Sequence, residues 1–166
     1  CGAMFLAQPA AAFGHLRAAM RPGAELAIVC WRELAENEWA RKPLEIAAPL
    51  MGDGAALLTS PTGPGPFAWA DPAVFQPVLA AANWQNIRWE AVDCMANLGA
   101  GDAAHPAERA AEFCLRIGPL ASRLKGAEPA LLDALRATLI SGFEDSVKDN
   151  VVNIGTSAWV VRAKAP

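Results

Sequence analysis

The sequence predicts an α/β fold, because a helix, a tight turn and a buried strand follow one another near its start. Apolar residues recur at three- and four-residue spacing over residues 9–20, which indicates an amphipathic helix. Arg21-Pro22-Gly23 ends this helix, since proline cannot continue it and glycine accepts a left-handed turn. The short apolar run 25–31 is typical of a strand covered on both faces, as in a parallel sheet. Together these segments form half of a βαβ unit.

Helical and strand patterns continue along the rest of the chain, with no internal repeat and no low-complexity linker between them. Asp71-Pro72 predicts a helix start, since Asp caps free amides and Pro suits the first helical position. Glycine and proline concentrate in residues 52–66, which predicts a mobile loop. The patterns further predict helices over part of 33–50, from 71 to about 83, over 106–124 with a break near Gly118-Pro119, and over 129–147, and strands over 86–94 and 155–162.

The composition argues against two classes of partner. Hydrophobic residues make up 54% of the chain and charged residues 19%. Charged residues or prolines nonetheless interrupt every apolar stretch before the roughly 18 residues that a membrane-spanning helix needs. The net charge is −3, and no basic patch is interleaved with aromatic residues. We therefore expect neither a membrane nor a nucleic acid as partner.

The cysteines and histidines predict no metal site. The four cysteines are Cys1, Cys30, Cys94 and Cys114, and they form no C-x-x-C pair. Cys30, Cys94 and Cys114 lie in apolar segments, where free thiols packed in a core are expected. Free thiols suit a reducing compartment, so we expect a cytoplasmic protein. His15 and His105 stand alone, without the spacing of metal ligands.

Several motifs resemble class I S-adenosylmethionine-dependent methyltransferases. The stretch from Gly2 to Gly23, with Met-Phe-Leu near its start and Met-Arg-Pro-Gly at its end, is similar to the helix that follows their strand four. The next segment, Leu-Ala-Ile-Val-Cys-Trp-Arg at 26–32, resembles their strand five. Segments 65–72, 111–120 and 157–163 are similar to elements of one subgroup, so the resemblance covers almost the whole chain.

The resemblance implies the C-terminal half of a Rossmann-like methyltransferase sheet. In this family strands five, seven and six are neighbours in that order, with strand seven antiparallel, and helices flank and interrupt them. Residues 25–31 would form strand five, 86–94 strand six and 157–163 strand seven, so that the terminal strand lies between the other two. The chain would be a single partial domain over residues 1–166, with an insertion around 106–124 covering the substrate pocket.

The resemblance also implies S-adenosylmethionine as the cofactor, although the expected cofactor-binding elements are absent. The family binds it with a glycine-rich turn after strand one and an acidic residue after strand two. Gly52-Asp-Gly54 and Gly99-Ala-Gly101 have the G-x-G spacing, but neither follows a convincing strand and precedes a phosphate-facing helix. We therefore expect that the chain begins just past strand four, and that the isolated chain does not bind the cofactor.

Candidate site residues follow from the fold that the resemblance implies, because ligands of open α/β sheets lie beyond the carboxyl ends of the strands. The implied cofactor wall is Gly2, Met4 and Phe5. The implied substrate residues are Trp31 and Arg32 after strand five, the latter for an acidic substrate, and Phe113 and Arg116 in the insertion. The alternative for Met4, Phe5 and Trp31 is that they are simply core residues. The alternative for Phe113 and Arg116 is that they pack between helices. No catalytic residue is assigned, since no nucleophile–base set has persuasive spacing.

Two functions therefore remain open. The first is the C-terminal part of a methyltransferase that acts on a small molecule. The second is a noncatalytic α/β interaction module that pairs with a partner through an exposed sheet edge. In either case we expect a homodimer or association with the missing N-terminal half.

Overall fold

The computed structural model describes residues 2–52, 63–102 and 105–166. Within them, one sheet and a set of helices confirm the α/β class. The helices are α1 (Pro9–Ala18), α2 (Glu38–Met51), α3 (Pro72–Ala81), α4 (Pro106–Arg116), α5 (Pro119–Arg123) and α6 (Pro129–Phe143). The strands are β1 (Glu25–Trp31), β2 (Gln85–Leu98), β3 (Val147–Lys148) and β4 (Val151–Lys164). Most of the predicted loop at 52–66, with its Gly54, lies outside the described residues, as does Cys1.

The sheet has the strand order β1–β4–β2, and β3 also pairs with β4. Strands β1 and β4 are antiparallel, from Glu25 opposite Lys164 to Trp31 opposite Ala158. The prediction that β1 belongs to a parallel sheet and is covered on both faces is therefore wrong. Its Val29 is 42% exposed, because α1 and α3 cover only one face of the sheet, and an antiparallel sheet tolerates an open face.

The predicted strand limits are confirmed for β1 but are too short for the other two long strands. The strand predicted over 86–94 extends to Leu98, and the terminal strand begins at Val151. Most side chains of β2 are exposed, but the residues added at its end alternate between exposed and more buried positions and finish at the buried Leu98.

The chain divides into two compact units. The first comprises residues 1–33, 60–93 and 157–166, and the second comprises 34–59 and 94–156. Strands β2 and β4 contribute residues to both units. For this reason the division does not decide whether the chain is the single partial domain over 1–166 that the sequence predicts.

Aromatic side chains build the core of the first unit. The Trp69 ring lies 5.4 Å from that of Phe13 and 6.0 Å from that of Phe75. The Phe75 ring also meets Trp89 of β2 edge-on at 5.6 Å. The indole of Trp84 is buried and donates a hydrogen bond to the Phe13 carbonyl at 3.0 Å. Each buried aromatic side chain of this kind contributes about 2 kcal/mol through burial, so these contacts hold α1 and α3 on the sheet.

Helix α6 is central to the second unit, where it packs against α4 and α2. Its Leu135, Leu139 and Phe143 recur at four-residue spacing and are fully buried. Cys114 on α4 and Leu44 on α2 are buried as well. The predicted break between α4 and α5 is confirmed at Gly118, which has a φ of +99°.

The turns around α1 and α3 follow their sequence signals. Gly23 has a φ of +76°, which places the left-handed turn where the Arg-Pro-Gly motif predicts it. The Asp71 carboxylate accepts a hydrogen bond from the Ala73 amide at 2.8 Å and so caps α3. None of the helices in the described ranges is long and apolar enough to cross a membrane.

Candidate functional site

A groove of about 640 Å³ opens along α4 and α6 within the second unit. Phe113, Ile117 and Ile140 supply its apolar lining, and Glu112, Arg116 and Arg136 its charged groups. Phe113 and Arg116 were both predicted to line a substrate pocket, and the structure brings them together. The volume lies in the range of roughly 300–1,000 Å³ that is common for small-molecule sites.

Glu112 links the two arginines of the groove. Its Oε1 accepts a hydrogen bond from Arg136 Nε at 2.6 Å, and its Oε2 accepts one from Arg116 Nη2 at 3.2 Å. Arg136 also donates from Nη1 to Asp133 Oδ1 at 2.7 Å. The hydrogen bond from Arg136 lowers the pKa of Glu112, and the charges of both arginines act in the same direction. Glu112 is therefore ionised at neutral pH.

Glu112, Arg136 and Asp133 were not among the site residues predicted from the sequence. The signal that was present is the spacing of Glu112 and Arg116, which stand four residues apart on one helix and so share a face. No local pattern could have found Arg136, because it lies 24 residues further along, on α6.

Gly99 lines the groove, and its position corrects the prediction for the second G-x-G motif. Strand β2 runs to Leu98, so Gly99-Ala-Gly101 directly follows a strand, contrary to the prediction. A Cβ atom at Gly99 would lie under 3.0 Å from backbone atoms of Arg109 and Ala110 on α4. The space beside this glycine is therefore filled by the protein's own helix rather than open to a ligand. Arg109 Nε reinforces the contact by donating to the Gly99 carbonyl at 2.8 Å.

A second cleft, of about 450 Å³, lies beside the predicted cofactor residues in the first unit. Met4 and Trp69 line it and are buried, whereas Leu6 and Val74 line it and are exposed. Phe5 is 55% exposed and does not line the cleft. The mostly apolar lining suits an apolar portion of a ligand. Cofactor binding by Gly2, Met4 and Phe5 stays a prediction.

Arg32 takes part in a network that joins three strands. Its Nη1 lies 3.0 Å from Asp93 Oδ1 on β2, and its guanidinium lies 5.0 Å from the centre of the Trp159 ring on β4. Ser157 donates to the same Asp93 oxygen at 2.7 Å. Trp31, the neighbouring candidate, is partly buried against the aromatic core. Substrate binding by Trp31 and Arg32 stays a prediction, and any ligand of Arg32 would share it with Asp93.

The predicted site residues fall in both compact units. Gly2, Met4, Phe5, Trp31 and Arg32 belong to the first, whereas Phe113 and Arg116 belong to the second. Among the described residues, no group of three or more His, Cys, Asp or Glu side chains could hold a metal ion.

The prediction that the cysteines pack in a core is correct for two of the described ones and wrong for Cys94. Burial raises the pKa of the Cys30 thiol to about 11 and that of Cys114 to about 12. Cys94 is exposed, as are its neighbours Asp93 and Met95 on β2. Its Sγ lies 3.0 Å from Thr156 Oγ1 on β4.

Comparison of the chain with models of protein families and with curated protein sequences finds no match in either.

Proposed function

We propose that the chain is the C-terminal half of a class I S-adenosylmethionine-dependent methyltransferase that acts on a small molecule. The observation that carries the proposal is the order β1–β4–β2, in which the terminal strand lies between the other two and antiparallel to β1. This is the order that the resemblance implies for strands five, seven and six. A terminal strand inserted at the centre requires the chain to return across the sheet, so simple sequential pairing would not produce it.

The connection into β1 gives further support. A ten-residue helix, a left-handed glycine and a seven-residue strand follow one another, as they do in the family between strands four and five. Ala24 stands where the family has a second glycine, and it avoids a positive φ. The described cysteines are free, which suits the proposed cytoplasmic location.

The first test is a calorimetric titration of the isolated chain with S-adenosylmethionine. We expect no binding, because the expected glycine-rich turn and ribose-binding carboxylate are not among its residues. Micromolar affinity of the isolated chain for S-adenosylmethionine would contradict its assignment to the half of the domain that lacks the cofactor-binding elements.

The second arm of this test uses the protein encoded by the complete gene. We expect the coding sequence upstream of Cys1 to specify a strand followed by a G-x-G turn. That protein should bind S-adenosylmethionine and transfer its methyl group to a small acceptor. Absence of binding by a folded full-length protein would reject the methyltransferase proposal.

A noncatalytic interaction module is the second candidate, and the position of β1 favours it. Among the described residues β1 pairs with β4 and stands at one end of the strand order, so its other edge is where a partner strand would pair. The exposed Val29 adds apolar area beside that edge. Two results together would favour this candidate. The full-length protein would fail to bind the cofactor, and it would bind a partner protein stably unless it carried the Val29→Lys substitution.

A further inference from the structure

Unused hydrogen-bond donors face the groove along α4 and α6. Arg116 is 76% exposed, and Glu112 is the partner that the structure gives it, through Nη2 alone. Both carboxylate oxygens of Glu112 are already occupied, one by each arginine. The groove therefore offers guanidinium donors, whereas its central carboxylate has little capacity left for a cation.

Glu112 holds Arg116 in place while Arg136 holds Glu112. The bond between Arg136 and Glu112 is the shorter of the two at 2.6 Å, and Asp133 fixes the other end of Arg136. A guanidinium held in this way loses less conformational entropy when it binds a ligand. Its planar fork matches the two oxygens of a carboxylate.

The groove beside these donors is apolar. Ile117 follows Arg116 directly and is 57% exposed, and Phe113 and Ile140 continue the lining. Phe113 and Ile140 are half-buried, and apolar side chains that stay partly open around one cavity favour a ligand that covers them.

We propose that this groove binds a small molecule with an apolar body and a single carboxylate, and that Arg116 is the residue that binds the carboxylate. Glu112 and Arg136 are positioning residues, and Phe113, Ile117 and Ile140 contact the apolar body. The identification of this ligand as the methyl acceptor rests on the proposed function. The binding itself requires neither the cofactor nor the rest of a methyltransferase.

Three probes with the same apolar body separate the contributions to binding. Octanoate, 1-octanol and octylamine are each titrated into the chain by calorimetry at neutral pH. We expect octanoate to bind at least about ten-fold more tightly than octanol, because a charged bidentate contact is lost with the alcohol. Octylamine should bind more weakly than octanol, because its charge opposes that of Arg116.

Arg116→Gln tests the anion anchor. It should weaken octanoate binding about ten-fold and leave octanol binding unchanged. The matched control is Arg41→Gln on α2, which removes another exposed arginine paired with a glutamate four residues away but does not line the groove. It should leave the binding of both probes unchanged.

Two further variants test the groove in other ways. Ile117→Ser should weaken octanoate and octanol by the same factor, because it removes apolar contact alone. Glu108 also lines the groove, and Glu108→Gln should tighten octanoate binding up to about two-fold by removing a like charge at a distance.

The proposal is overturned if octanoate does not bind, if octanol binds equally well, or if Arg116→Gln and Arg41→Gln have the same effect. Because these titrations contain no S-adenosylmethionine, such a failure would leave the methyltransferase proposal standing. If instead the full-length protein fails to bind the cofactor, the proposal that the groove binds a carboxylate ligand still stands. Only the identification of that ligand as the methyl acceptor is then lost.

Discussion

At the scale of single residues, Arg32 connects parts of the chain that are far apart in sequence. It follows β1 directly, pairs with Asp93 on β2 and stacks on Trp159 of β4. Asp93 is largely exposed, so the ion pair contributes at most about 1 kcal/mol. The stacking on Trp159 contributes a similar amount. Arg32 therefore stabilises the carboxyl end of β1 in addition to any part it takes in substrate binding.

The described cysteines should differ sharply in reactivity. Alkylation requires the thiolate, and burial raises the pKa values of Cys30 and Cys114 well above neutral pH. Cys94 is exposed. After brief treatment of the native chain with iodoacetamide at pH 8, peptide mass spectrometry should find Cys94 modified and the two buried cysteines unmodified.

Denaturant provides the control for this experiment. In the unfolded chain all three cysteines should react at similar rates, since their environments are then equivalent. Rapid modification of Cys114 under native conditions would show that α4 does not pack against its neighbours as the structure has it.

At the scale of elements, the contact between β2 and α4 depends on one glycine. Gly99 ends the strand with a φ of +63°, which favours glycine. The backbone of α4 also fills the space that any side chain would need. The end of β2 and the start of the groove are therefore set by the same close approach.

Gly99→Ala should destabilise the chain by about 3 kcal/mol, because the new methyl group meets backbone that cannot rotate away. Gly126→Ala is the matched control, since Gly126 also has a positive φ but nothing within 4 Å of the added Cβ. It should cost only about 1 kcal/mol from the backbone conformation. Urea unfolding followed by circular dichroism measures both variants, and equal losses of stability would contradict the close contact.

At the scale of the whole molecule, the sheet leaves β1 at one end of its strand order in the described part of the chain. An apolar edge strand with unpaired amides and carbonyls recruits another strand. A second copy of the chain offers the same edge, and a two-fold arrangement closes the contact without further growth.

We therefore predict a dimer at tens of micromolar, measured by light scattering. Val29→Lys should shift it towards monomer, because Val29 is exposed beside the open edge and a lysine there opposes close strand pairing. Val74→Lys is the matched control, because Val74 is similarly exposed but lies on α3. A monomer at these concentrations, or equal effects of the two variants, would rule out association through β1.

Elements that bury one face could be predicted from the sequence, whereas sites formed between elements could not. Phe113 and Arg116 were predicted because the resemblance pointed to their helix, and both line the groove. Arg136 was missed because an ion pair between two helices leaves no periodic trace along the chain, whereas the four-residue spacing of Glu112 and Arg116 was an available signal for Glu112. Cys94 was misplaced because its apolar neighbours suggested a buried strand, whereas Cys94 lies in a stretch of β2 whose side chains are all exposed.

The sequence by itself determined the start of α1, the turn at Gly23, the limits of β1 and the cap at Asp71. Each of these depends on residues within one or two turns, through proline and glycine geometry, side-chain capping and apolar spacing. The order β1–β4–β2 is the one that the resemblance implies, but no spacing of residues along the chain predicts it. Only the tertiary structure decided that β2 continues to Leu98 and that α4 and α6 form a charged groove. These features depend on backbone pairing and packing between distant segments, and such interactions do not require a particular order of side chains along the chain.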